Sequence, residues 1–328
     1  MYRAAAIVAF AFFMLMAPAI AQSDVYPSHP VTLVSPYPPG GGVDILLRAL
    51  VGPWQRALKQ PIVVSYRTGA AAALGTASVA NATPDGYTVM IGAASTVTIP
   101  EVDRLLERPT SYALDQLVGV ALLSSEPTLL IVHPSLPVKT ARDFIELARA
   151  HPGELVVSSG GYYGPSHLPI LLLERAAGVR FKHLVGTGGG PAMTAVLSGN
   201  SVAYAAQPNV ATPHILAGRA RVLAHWGTKR LPAFPDLPSF KELGIDVEFY
   251  DWFAVFAPAK TPAAVIKVLQ DSLRQAAHDA EFVAEMQRVN QSIEYRDGDE
   301  FQAWYQREKK WRVDAVRAIG KIDVNPKQ

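Results

Sequence analysis

The chain predicts an α/β fold of two units, each a sheet flanked by helices. Three observations lead there. Apolar strand runs alternate with helical stretches over most of the length, and Pro-rich punctuation interrupts that rhythm near the middle. The third is size: 328 residues with 49% hydrophobic content exceed what one compact core usually holds.

The elements follow in order. Met1-Tyr2-Arg3 is a short positive start, residues 4 to 17 are apolar throughout, and Ala19-Ile20-Ala21 is a small-x-small cleavage site before Gln22. This is the pattern of a cleaved secretory signal over residues 1–21, since the apolar run falls short of the ~20 residues that span a bilayer. Cysteine is absent, which removes both disulfide staples and a lipid-attachment site, so the mature chain is expected free in a periplasm. Strand Val31–Val34 leads to a helix near 43–59, strand Ile62–Val64 to a helix near 71–81, then comes strand Tyr87–Ile91. A second series runs from strand Leu129–Val132 through helix 140–150, strand Leu155–Val157, helix 167–177, strand Phe181–Leu184, helix 191–198, and strands Val202–Ala205 and Arg221–His225. Both read as βαβ units with parallel sheets. The prolines of "SSEPTLLIVHPSLPVKT", "LPAFPDLPSF" and "FAPAKTPAAV" mark the breaks. In 298–320, Phe301, Trp304, Tyr305, Trp311, Ala315, Val316 and Ile319 recur at helical spacing, as in a helix packed on a core.

Charge excludes one class of partner. With 30 Lys+Arg against 28 Asp+Glu the formal charge is +2, and no basic run with interleaved aromatics appears, so a nucleic-acid partner is not expected. Metal and cofactor sites are not expected either: the eight histidines include no H-x-x-x-H pair, and Asp297-Gly298-Asp299-Glu300 lacks the calcium-loop spacing.

Three glycine clusters carry the chemistry. "SPYPPGGGVD" (35–44) ends a strand and opens a helix, where N–H groups lack intrahelical partners and the dipole end is positive. Glycines let the backbone approach a ligand there, and Pro38 and Pro39 stiffen the turn. Asp44 is placed to cap the first turn, with a direct ligand role as the alternative. The run lacks G-x-G-x-x-G and G-K-[ST], so a nucleotide loop is disfavoured. "SSGGYYGPSHL" (158–168) repeats strand, glycine turn and helix. Its Ser166-His167 pair raises a secreted serine hydrolase as a remote alternative, but the G-x-S-x-G elbow is missing because Leu168 stands where glycine is needed. "VGTGGGPAMTAVLSG" (185–199) repeats the design again, with Pro191 suited to a first helical turn and Thr187 offering a hydroxyl. Such turns on two units suggest a cleft whose walls both present amides to acidic groups.

The motifs "YPSHPVTLVSPYPPGGGVD", "TPDGYTVMIG", "VHPSLPVKTARDFIELARAHPGEL", "GPSHL", "GGGPAMTAVLSG", "PHILAGRARVLA" and "WFAVFAPAKTPAAV" together resemble the Bug-type substrate-binding proteins of tripartite tricarboxylate transporters, in order over residues 26–320. The resemblance implies a two-lobe, type II periplasmic-binding-protein fold with a hinge between lobes, no enzymatic activity, and a monomer that takes a small di- or tricarboxylate to membrane transporter subunits. A periplasmic sensor is the alternative. Lobe 1 would comprise 26–125 with 250–328, and lobe 2 residues 126–249. It further implies a lobe-1 wall from Tyr37, Pro39, Gly40, Gly41, Val43 and Asp44 with Ala94 and Ser95, and a lobe-2 wall from Ser159, Tyr162, Tyr163, Gly164, Ser166, His167, Thr187, Gly188 and Gly189. Where the family writes "GNGSPSHL" this chain has "GYYGPSHL", where it writes "YKGSGP" this chain has "GTGGGP", and "NRPGAGG" becomes "YRTGAAA". Two tyrosines in place of polar donors suggest a ligand with a flat apolar body between or beside its carboxylates; the alternative is that Tyr162 and Tyr163 pack at the hinge or face solvent.

Overall fold

A computed structural model describes residues 26–322, so the export-signal expectation for residues 1–21 lies outside the described residues. The first unit runs β1 (Val31–Ser35), α1 (Gly42–Leu58), β2 (Ile62–Tyr66), α2 (Ala73–Ala80), β3 (Thr88–Gly92), α3 (Ser95–Leu105) and β4 (Leu117–Pro127). The second follows with β5 (Leu129–Val132), α4 (Ala141–Ala150), β6 (Val156–Ser159), α5 (Leu168–Ala177), β7 (Lys182–Val185), α6 (Gly189–Leu197), β8 (Ala203–Ala206), α7 (Pro208–Leu216) and β9 (Arg221–His225). The chain returns through β10 (Tyr250–Pro258), α8 (Ala263–Ala277), α9 (Ala280–Arg288), β11 (Arg296–Asp297) and α10 (Gly298–Ile319).

Two sheets result. The first has strand order β11-β4-β10-β3-β1-β2, and the second β7-β6-β8-β5-β9. Neither is purely parallel, which corrects the parallel reading. Strand β1 lies parallel between β2 and β3, with Leu33 level with Val64 and Val89, but β10 runs antiparallel to both β3 and β4. In the second sheet β6 is parallel to β7 and β8, while β5 runs antiparallel to β8 and β9. The antiparallel strands β4 and β10 are those that carry the chain between the sheets, so their direction is dictated by the crossing. Strand β10 was hidden by its ending at Pro258 in what reads as Pro-rich punctuation.

Each unit buries its own core. Leu46, Leu47, Leu50 and Trp54 form the inward stripe of α1, and the Trp54 indole N–H donates to Ser272 Oγ of α8 at 2.9 Å. Helix α4 opens with a reciprocal cap: Thr140 Oγ1 accepts from Asp143 N–H at 3.1 Å, and Asp143 Oδ2 accepts from Thr140 N–H at 2.9 Å. The last helix serves both units. Phe301 and Tyr305 pack with Trp252 and Phe256 of the first, whereas Val316 and Ile319 pack with the core of the second. Between them Arg312 is fully buried, held by Glu308 at 2.9 Å and stacked over Phe249 at 4.8 Å. Among the described residues no helix is long and apolar enough to cross a membrane.

Candidate functional site

The three glycine turns meet. A methyl on Gly188, at the start of α6, would lie 2.4 Å from Pro38 Cγ of the other lobe, and Gly188 also has a φ of +152° that side chains rarely adopt. A methyl on Gly190 would stand 3.4 Å from Gly40 O, and one on Gly41 3.8 Å from Gly189 N. The jaws are therefore in contact across the cleft. Within lobe 2, a methyl on Gly160 would collide with the backbone of Gly188 at 2.8 Å, so the two lobe-2 turns stack on one another.

On the lobe-1 side, α1 begins after Gly41, which is extended and supplies no side-chain cap, so the first-turn N–H groups of the helix have no capping oxygen. Asp44 does not cap them, contrary to expectation. Its Oδ2 reaches back to Gly40 N–H at 2.9 Å and takes Arg48 Nε at 2.9 Å, while Tyr66 Oη donates to Oδ1. Burial pushes its carboxyl up, but these three donors outweigh burial and hold it below its ordinary value. Asp44 thus fastens the glycine turn to α1 and β2, and its oxygens are spent there rather than on a ligand. Tyr37 is fastened as well: its hydroxyl lies 2.6 Å from Ser95 Oγ and accepts from Ala93 N–H at 3.1 Å. Burial pushes its phenol up to about 12. Tyr37 and Ser95 are thus brought together, Pro39 and Gly40 are exposed, and Val43 is buried in the lobe-1 core.

On the lobe-2 side, Ser166 is not a helix cap; its Oγ accepts from Gly160 N–H at 2.9 Å and ties the ends of the turn together. Ser159 Oγ is buried with no hydrogen-bond partner among the described residues. Gly164 continues the turn, its N–H donating to Gly161 O at 3.2 Å, and Thr187 is exposed.

The expectation for Tyr162 and Tyr163 needs correcting. Tyr163 has a φ of +52°, which turns its side chain into the lobe-2 core; its hydroxyl donates to Gly320 O at 2.7 Å and accepts from Ile322 N–H at 2.9 Å. Tyr162 packs edge-on to His167 and lines a cavity beside α5 and β7. Neither forms an aromatic cleft wall. His167 stands at the start of α5 and is a hydrogen-bonding residue there. Its Nδ1 accepts from Tyr163 N–H at 3.0 Å and its Nε2 lies 3.1 Å from His183 Nδ1, whose Nε2 in turn meets the Glu174 carboxylate at 3.2 Å. Both ring nitrogens of His167 are committed, so it is no base for Ser166.

Four further polar residues, none of them among the candidate site residues, lie close to these turns. Tyr204 Oη, 3.2 Å from where a methyl on Gly189 would sit, donates to Gln207 Oε1 at 3.3 Å. Gln207 Nε2 donates across the lobes to Asp251 Oδ2 at 3.0 Å, and Asn209 Nδ2 to Gly42 O at 3.0 Å. Burial raises the Asp251 carboxyl above its ordinary value despite the bonds from Gln207 and Trp252 N–H. The signal was present in "AYAAQPN", a fourth strand-to-helix turn with Pro208 at the first helical position.

A family model described as "Tripartite tricarboxylate transporter family receptor" matches residues 46–320. The protein BugT of Bordetella pertussis is 31% identical over 257 residues, 78% of this chain and 78% of that protein. Two solved structures from Rhodopseudomonas palustris are similar in fold. MatC with bound malate is 26% identical with a TM-score of 0.81, over 88% of this chain and 99% of that one. A protein with adipate is 25% identical with a TM-score of 0.82, over 90% and 98%.

Proposed function

Because the chain belongs to the tripartite tricarboxylate transporter receptor family, we propose that it is a periplasmic solute-binding protein that captures a small aliphatic dicarboxylate between its lobes and presents it to the membrane subunits of such a transporter. One observation carries the reading: helices α1 and α6, from opposite lobes, aim their N-termini at one another through bare glycine turns, and neither start has a side-chain cap. Such ends offer N–H donors and positive dipole ends, which suit a carboxylate on each side. The related proteins with malate and with adipate support that ligand class. Since Tyr162 and Tyr163 turn elsewhere, the case for a flat aromatic ligand body lapses. Catalysis is not part of the proposal, because the Ser166 and His167 side chains are each spent on backbone N–H groups and His183.

We take residues 1–21 as the export signal, 26–125 with 250–328 as lobe 1, 126–249 as lobe 2, and the mature chain as a monomer. A ligand touching both walls binds the closed form better and shifts the population toward it. Titration calorimetry with malate, adipate, citrate and terephthalate tests the reading. One-to-one binding of malate or adipate is expected, and absence of heat with every carboxylate would sink it.

A further inference from the structure

A cavity of about 1060 Å³ opens between α5, β7, the end of α4 and the segment leaving α10. Of the glycine turns of the cleft, only the 158–168 turn reaches it, through Tyr162. Its walls are apolar where Tyr162, Leu171, Ile319 and Ile322 line it. Its charge is one-sided: Arg149, Arg175, Arg180, Lys182 and Lys321 line it against a single acid, Glu174. That acid is already taken, since its carboxylate accepts from Phe181 N–H at 2.7 Å and faces His183. Arg149 and Arg175 are spent on the carbonyls of Ala177 and Ala318, and Lys321 lies 3.8 Å from Glu107. Arg180 and Lys182 remain. They flank the buried Phe181, both are exposed and line the cavity, and neither has an ion-pair partner among the described residues.

We propose that this cavity is a second ligand site, separate from the interlobe cleft, for an amphipathic carboxylate with a long alkyl chain. Arg180 and Lys182 meet the carboxylate, and the chain lies along Tyr162, Leu171, Ile319 and Ile322. Size argues for the long chain. Pockets that enclose drug-sized ligands run to roughly 300–1,000 Å³, so a four- to six-carbon acid would leave most of this volume empty. Position argues for a consequence at the cleft. Tyr162 belongs to the same turn as Ser166, so an occupant touches the back of the lobe-2 jaw.

Dodecanoate, titrated below its micelle concentration into the mature chain, is the probe. Saturable one-to-one binding is expected, weakened about tenfold in the R180E/K182E double variant, as loss of two solvent-facing charged hydrogen bonds implies. Both positions are exposed, so the melting temperature of that variant should match the parent. Tyr162→Trp should report dodecanoate by a change in indole emission, and excess adipate should not displace it. No binding, an unchanged affinity in R180E/K182E, or displacement by adipate would overturn the site.

Discussion

His167 Nε2 lies 3.1 Å from His183 Nδ1, and the proton between them has a direction. Tyr163 N–H donates to His167 Nδ1, so that nitrogen is bare and neutral His167 carries its proton on Nε2. It therefore donates to His183 Nδ1, which leaves His183 donating from Nε2 to Glu174. The chain ends on a carboxylate and begins on the backbone of the cleft's lobe-2 turn.

That arrangement makes stability depend on acid. Burial, with the neighbouring His183, holds His167 well below the ordinary histidine value, so the unfolded chain takes up its proton first as pH falls. The contribution is complete above the unfolded value of about 6.5 and declines below it, by about 1.4 kcal/mol per pH unit, until the depressed native value is reached. Thermal melts from pH 8 to 5 should show this fall, and His167→Gln should flatten it while lowering the melting temperature at pH 8. A slope unchanged in the variant would assign the effect elsewhere.

Gly188→Ala separates folding from closing. Its methyl would meet Pro38 of the opposite lobe only when the jaws touch, while the strained φ costs about 1 kcal/mol in any state. The variant should remain folded but bind a dicarboxylate at least about tenfold more weakly, a loss of about 1.4 kcal/mol. It should also scatter with a larger radius of gyration in the presence of ligand than the parent. Equal affinity would mean that the jaws need not meet.

Asp44→Asn can keep its amide oxygen for the Gly40 N–H and Arg48 donors, but it removes the charge that Arg48 faces and turns an N–H toward Tyr66 Oη, which must change from donor to acceptor. A loss of about 1–3 kcal/mol is expected, against about 1 for Tyr66→Phe, measured by urea denaturation. Asp44 has a depressed native pKa, so its stabilisation is present above the unfolded value of about 3.9 and is lost as pH falls through the native value. As pH falls through that native value, the two variants should approach the parent.

Gln207 and Asp251 should respond with opposite signs. Gln207→Ala leaves a buried carboxylate without its cross-lobe donor and should cost about 1–3 kcal/mol. Asp251→Asn keeps its oxygen for Trp252 N–H and can donate its new N–H to Gln207 once that amide turns over, and it removes a charge that burial disfavours at neutral pH, so it should be neutral or stabilising. Melting temperatures at pH 7 read both, and a double-mutant cycle should give coupling of about 0.5–3 kcal/mol.

The glycine turns were legible because strand, bare glycine and helix are adjacent in sequence. What failed depended on contacts made elsewhere in the chain. Tyr162 and Tyr163 stand in the turn that forms a wall, but the left-handed backbone at Tyr163 and its partners at 320 and 322 decide where the rings go. Asp251 sits in an apolar strand and is tied to the other lobe only because Gln207 reaches it. Arg312 was not singled out, because only the fold brings Phe249, Glu308 and the Tyr250 carbonyl around it. Helix α3 and strand β4 escaped notice because short apolar runs do not declare their period.

Helix α10 is bolted to both halves, by Phe301 and Tyr305 at one end and by Val316 at the other, with Arg317 gripping Glu101 through two hydrogen bonds at 2.6 and 3.1 Å. It is a strut laid alongside two flexible straps, the strands β4 and β10. Straps alone would let the lobes swing about many axes. A strut fixed at both ends forbids most of them and leaves a roll about its own length as the cheapest movement, so the jaws should part by sliding sideways past one another more than by gaping.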